Sequence, residues 1–171
     1  MIPATAVPVS AASINTSTIQ REYGVNDNHE IIIDGEESIE LVEPDVEGDR
    51  SVRGMFFEKD VVIKGSGKLT IDIFLTSDYD LPAGIFGIYS MKSITISESV
   101  QVVVNIENYS QTADVRAIYA GGGIFVKDSA SLDIDIYSQN TSNPVYGIST
   151  YAGEILLDGS GEKNININSF H

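Results

Sequence analysis

Five times along this chain the same short pattern returns, at an interval of 30 residues or close to it. Gly24, Gly54, Gly87, Ala117 and Gly147 open the five segments, separated by 30, 33, 30 and 30 residues. Each opener precedes an aliphatic residue, and a β-rich triplet follows some seven residues on: Ile31-Ile32-Ile33, Val61-Val62-Ile63, Ile94-Thr95-Ile96, Ile124-Phe125-Val126 and Ile155-Leu156-Leu157. An alternating run comes next, clearest at Leu69 to Ile73, repeated at Val102 to Ile106, Leu132 to Ile136 and Lys163 to Ile167, and weaker at Ile39 to Leu41. Between triplet and run stands a serine: Ser66, Ser99, Ser129 and Ser160. A period of this length is the mark of a solenoid, in which each repeat is one unit that cannot bury its apolar face alone.

Three short strand segments separated by turns make up each repeat, as one coil of a parallel β-helix requires. The fold class predicted is therefore all-β, a single-stranded parallel β-helix of about five coils. It is right-handed by the general chirality of parallel connections. Side chains alternate between two faces along a strand. Stacking then turns Ile71, Val104, Ile134 and Ile165 into one inward column, and Ile73, Ile106, Ile136 and Ile167 into the next. Residues 24–171 form this domain, and residues 1–23 are read as a leader or cap. The connection between Thr76 and Gly84 absorbs the three extra residues of its repeat, with Asp78 to Pro82 as a protruding loop.

At 42% hydrophobic residues the chain can bury a core. Its formal net charge of −15, with only 10 Lys and Arg, disfavours contact with nucleic acid phosphates or anionic lipid, both of which need clustered cations. No run approaches the roughly 20 apolar residues of a membrane-spanning helix. Cysteine is absent, which excludes disulfides and thiolate metal sites. Small residues around Val9 to Ala12 look like the end of a secretory signal, so a secreted or cell-surface location is expected.

Four columns of side chains stand out. On the third strand, Asp72, Asn105, Asp135 and Asn166 alternate acid with amide, a ladder suited to sugar hydroxyls or a cation such as calcium, with Glu40, Glu107, Asp133 and Asn164 beside it. No contiguous calcium loop is present. After the openers, Phe56, Tyr89 and Tyr119 form an aromatic column of the kind that stacks on pyranose rings, or else one that faces inward. Ahead of the openers, Tyr23, Arg53, Phe86, Arg116 and Tyr146 alternate ring with guanidinium, a cation–π ladder read as structural. The second strand carries an apolar outward stripe, Ile32, Val62, Thr95, Phe125 and Leu156, covered by the long connections or used in self-association. The last coil, uncapped, is a second candidate surface for self-association. Neither His29 nor His171 has a recognisable partner.

Repeats with a Gly87-Ile88-Tyr89 opener and an Ile94-Thr95-Ile96 triplet resemble the right-handed β-helix domains of secreted clostridial and related gut-bacterial surface proteins. The likeness spans about Gly24 to Ile167. It implies a non-catalytic, adhesin-like module that binds polysaccharide or a host or cell-surface glycan, in some cases acidic sugars with bound calcium. A passive spacer or fragment of a larger adhesin shares the same composition. Pectate-lyase-like enzymes also resemble this solenoid, but no basic residue shares the acidic column. A carboxylate pair that could be proposed, Asp72 and Asp135, falls two coils apart, about 9.6 Å, near the edge of the inverting range.

Overall fold

A computed structural model describes residues 29–42, 51–76, 83–110, 114–139 and 143–169. The strands are β1 (Glu30–Ile33), β2 (Glu36–Val42), β3 (Ser51–Phe57), β4 (Val61–Gly65), β5 (Lys68–Leu75), β6 (Gly84–Ser90), β7 (Ile94–Ile96) and β8 (Gln101–Asn108). They continue as β9 (Asp114–Ala120), β10 (Ile124–Val126), β11 (Ser131–Ser138), β12 (Val145–Thr150), β13 (Ile155–Leu157) and β14 (Lys163–Ser169). Every third strand pairs in parallel, giving sheet A in the order β1-β4-β7-β10-β13, sheet B in the order β14-β11-β8-β5-β2, and sheet C in the order β12-β9-β6-β3. The chain is thus a parallel β-solenoid, with no helix among the described residues.

The coil count differs slightly from the five expected. Among the described residues, four coils of three strands each stack on the pair β1 and β2. Gly24, the opener of the first segment, lies outside the described residues, as do the leader and the loop from Asp78 to Pro82.

The inward columns form as the repeat requires. Ile71 pairs with Val104, Val104 with Ile134 and Ile134 with Ile165, and the neighbouring column runs Leu41, Ile73, Ile106, Ile136, Ile167. In the middle coils these side chains are 0–2% exposed. The period of two in each strand thus becomes a continuous aliphatic core between three sheets.

The openers are small because of space. Gly54, Gly87, Ala117 and Gly147 point inward at the bend of sheet C, so that on β6 and β9 the side chains on both sides of the bend, Phe86 with Tyr89 and Arg116 with Tyr119, stay outside. A Cβ on Gly54 would lie 2.6 Å from Ile71 Cγ2, and one on Gly147 2.5 Å from Ile165 Cγ2. None of these three glycines has a positive φ.

The serines mark a different corner, where positive φ does matter. The residue before each serine takes that conformation in every coil: Gly65 (φ 123°), Glu98 (64°), Asp128 (57°) and Gly159 (94°). The amides of Ser99, Ser129 and Ser160 then donate to the carbonyls of Gly65, Glu98 and Asp128 in the coil before, at 3.0, 2.7 and 2.7 Å. Asp128 offsets part of its own conformational cost by accepting from the Glu98 amide at 3.0 Å.

One register differs from the sequence alignment. Ile31 pairs with Ile63 and Ile33 with Gly65, so Ile32 stands over Lys64, and Glu30 rather than Ile32 stands over Val62. The expected stripe is corrected accordingly: Val62, Thr95, Phe125 and Leu156 share a column, and Ile32 does not. A slip of two residues preserves which side chains face inward, so Ile31 and Ile33 still reach the core. It also brings Glu30 to 2.9 Å from the Lys64 ammonium. That hydrogen bond is the chief reason the Lys64 pKa rises above its ordinary value, against the opposing pull of desolvation and with help from the Glu30 and Glu98 charges.

At one corner the core is polar. Asn108, fully buried, stacks on Leu75 and Ser138. Its Oδ1 accepts from the Ser110 amide (3.0 Å) and hydroxyl (2.6 Å), and its Nδ2 donates to Ser110 O and Ser138 Oγ, both at 3.2 Å. Asn108→Ala strands several of these groups at once. A loss of about 2 kcal/mol in urea denaturation is expected.

Candidate functional site

The outer face of sheet B carries the acid–amide ladder, and its register puts Glu40 in the column itself: Glu40, Asp72, Asn105, Asp135, Asn166. Asn105 sits between two carboxylates and Asn166 ends the column, and each binds the carboxylate before it. Asn105 Nδ2 donates to Asp72 Oδ1 at 2.7 Å, and Asn166 Nδ2 donates to Asp135 Oδ1 at 3.3 Å. Each bond points from one coil to the coil before, which fixes the rotamers and leaves the second oxygen of each carboxylate as an acceptor.

Two residues further along each strand, on the same face, stand Val42, Phe74, Glu107, Tyr137 and Asn168. Tyr109, just past the end of β8, reaches both rings of that row: its centroid is 5.9 Å from Phe74 and 5.2 Å from Tyr137. Ladder and aromatic row together bound a shallow groove of about 350 Å³, lined by Glu40, Asp72, Asn105, Asp135, Phe74, Glu107 and Tyr137 among others. No lysine or arginine lines it. Phe74, Tyr109 and Tyr137 were not among the expected site residues. The parity that selects Asp72 and Asp135 also selects Phe74 and Tyr137, so a signal for those two was present. None marks Tyr109.

Sheet C presents a different surface. Phe56, Tyr89 and Tyr119 form one column and Arg53, Phe86, Arg116 and Tyr146 the adjacent one, both facing outward. The two columns interlock. Arg53 lies 4.7 Å over Phe56 and 5.0 Å over Tyr89, while Arg116 lies 4.6 Å over Tyr119 and 5.3 Å over Tyr146. Phe86 stacks on Tyr89 at 5.1 Å, and Tyr89 meets Phe56 and Tyr119 at tilted or edge angles, both at 5.2 Å. Asp114 clamps Arg116 through bonds of 2.9 and 2.7 Å. The guanidinium groups therefore stack chiefly on the rings of the neighbouring column. Phe56 is buried, and the faces of Tyr89 and Tyr119 are engaged by arginine and by other rings. This surface resembles an outer layer of packing more than an open stacking platform.

Among the described residues, no group of three His, Cys, Asp or Glu side chains is arranged to hold a metal ion. In the ladder itself, amides separate Asp72 from Asp135. Nor is any described helix long and apolar enough to cross a membrane. Compared with known proteins, the chain matches no family model, no curated protein and no solved structure.

Proposed function

We propose that this chain is a non-catalytic glycan-binding module of a secreted or cell-surface protein, and that its ligand lies in the sheet B groove. The observation that carries this reading is the pairing of a rigid acceptor ladder with an aromatic wall on one concave face. Sugars present hydroxyl donors on their edges and apolar C–H faces on their rings, and such a groove serves both. Successive rungs are about 4.8 Å apart, close to the length of one sugar unit, so a linear chain running along the solenoid axis meets equivalent groups at each step. The four carboxylates and the absence of cations in the lining disfavour an acidic sugar, unless calcium bridges the charges, and favour a neutral or amino-bearing one.

Catalysis is a weaker reading. Asp72 and Asp135 are two rungs apart, about 9.6 Å, and each already accepts an amide hydrogen bond.

Screening the protein on a glycan array, with and without calcium, should give ligands whose binding falls about tenfold or more in Tyr137→Ala, since stacking on one aromatic ring is worth on the order of 1–2 kcal/mol. Tyr89→Ala should leave retention unchanged. Retention lost in Tyr89→Ala and kept in Tyr137→Ala would move the site to sheet C. An array without ligands would leave a structural spacer as the better reading.

A further inference from the structure

The side chains of the sheet B groove repeat every two coils rather than every one. Read across the register, successive rungs carry Asp72 with Phe74, Asn105 with Glu107, Asp135 with Tyr137 and Asn166 with Asn168. An acid with a ring thus alternates with an amide and a polar neighbour over four strands, and the rung of Glu40 and Val42 on β2 departs from the pattern. Two sets of contacts hold this period. The amides tie down the acids, Asn105 to Asp72 and Asn166 to Asp135, so each of those carboxylates keeps one oxygen for a ligand. Tyr109 touches both rings, 5.9 Å from Phe74 and 5.2 Å from Tyr137, and so holds them in place from behind the lining. Neighbouring rungs are about 4.8 Å apart, which sets the two acid-and-ring rungs about 9.6 Å apart along the stack.

We infer that the ligand of this groove is an extended two-fold polysaccharide, a β-1,4-linked ribbon of neutral or amino-bearing hexoses of the glucose or mannose type, lying along the stack with every second sugar on a ring. The inference rests on the glycan-binding reading above and adds the linkage to it. In such a ribbon both bonds to each sugar are equatorial, the chain is nearly straight, and each sugar is turned over relative to the one before. Its repeat is therefore a disaccharide, whose length is close to the two-rung interval. One sugar and the next but one then lay the same face on Phe74 and Tyr137 and offer the same hydroxyl edge to Asp72 and Asp135. The sugar between them, turned over, meets Asn105 and Glu107, where there is no ring. Chains linked β-1,3 or α-1,4 wind into helices, so a segment laid on one ring carries its next-but-one sugar away from the other. The solenoid makes the interval a selector, because the register of β5, β8 and β11 sets it in the backbone. The lining carries Glu40, Asp72, Glu107 and Asp135 with no Lys or Arg, which disfavours a carboxylated ribbon of the same linkage.

Isothermal titration of the full chain with β-1,4-linked oligomers of glucose, mannose and glucosamine, from two sugars to six, tests this, with β-1,3-linked and α-1,4-linked glucose oligomers as controls. At least one β-1,4 series should bind, its affinity rising about tenfold or more between two sugars and three, the shortest length that reaches both rings. Tyr137→Ala and Phe74→Ala should each bring the three-sugar ligand down to the level of the two-sugar one, with little change in the latter. Tyr137→Leu, which keeps bulk against Tyr109 but removes the stacking face, should do the same and serves where alanine loosens the wall. An affinity that climbs evenly with length, a step at three sugars that survives loss of the Tyr137 ring, or a control series bound as tightly as the β-1,4 oligomers overturns the inference. Its failure is distinct from failure of the reading beneath it. A glycan array on which Tyr137 governs retention of other glycans but no β-1,4 ribbon is retained removes the linkage and keeps the site, whereas an array without any ligand removes both.

Discussion

Replacing Ile134 by Ala is expected to cost about 2–5 kcal/mol of folding stability, while the same change at Ile165, its partner one coil later in the same column, should cost less than about half as much. Both residues are isoleucines on equivalent strands with identical orientation. They differ in what stands on their far side. Ile134 is covered by Val104 before it and Ile165 after it and is 1% exposed, whereas Ile165 is 44% exposed. Truncation at Ile134 leaves a cavity inside rigid sheets that cannot collapse onto it, and truncation at Ile165 only enlarges a surface already wet. Denaturant melts of the two variants make the comparison. Equal losses would show that the column is not stacked as described.

The second large effect is expected from Gly87→Val, at about 3 kcal/mol or more. The cost is steric. A Cβ at position 87 would run into Val104 Cγ1 and approach Ala117 O to 2.6 Å, because here sheet C turns and its backbone passes directly over the inward row of sheet B. Ala117 shows that one methyl is accommodated in this column where the surrounding coil makes room, so Gly87→Ala should cost noticeably less than Gly87→Val. Thermal denaturation followed by circular dichroism orders the three proteins. Indifference to valine would mean that the opener glycines serve some other purpose.

Much of the architecture was legible because the repeat supplies its own register. Once Leu69 to Ile73 is aligned with Val102 to Ile106 and Leu132 to Ile136, parity alone assigns Ile71 inward and Asp72 outward, and the ladder of Asp72, Asn105, Asp135 and Asn166 follows. The first triplet was less tractable. Ile31-Ile32-Ile33 reads equally well in two registers that differ by two residues, since both keep the same side chains inward. The coordinates select the one that gives Lys64 its carboxylate partner. The candidate site was half legible. Its acids and amides sit at a fixed spacing, but the ring of Tyr109, which braces the wall residues Phe74 and Tyr137, lies beyond the regular part of β8 and meets them only through tertiary packing.

By itself, then, the sequence determined that this chain winds into stacked parallel coils, because a 30-residue period fixes which residues of successive segments become neighbours. It also determined which side chains enter the core. The tertiary structure decided what periodicity does not encode: which aromatic rings are engaged by arginine and which border a groove. Those properties depend on the third dimension around each residue, where identical letters such as Ile134 and Ile165 meet a neighbouring coil in one case and solvent in the other.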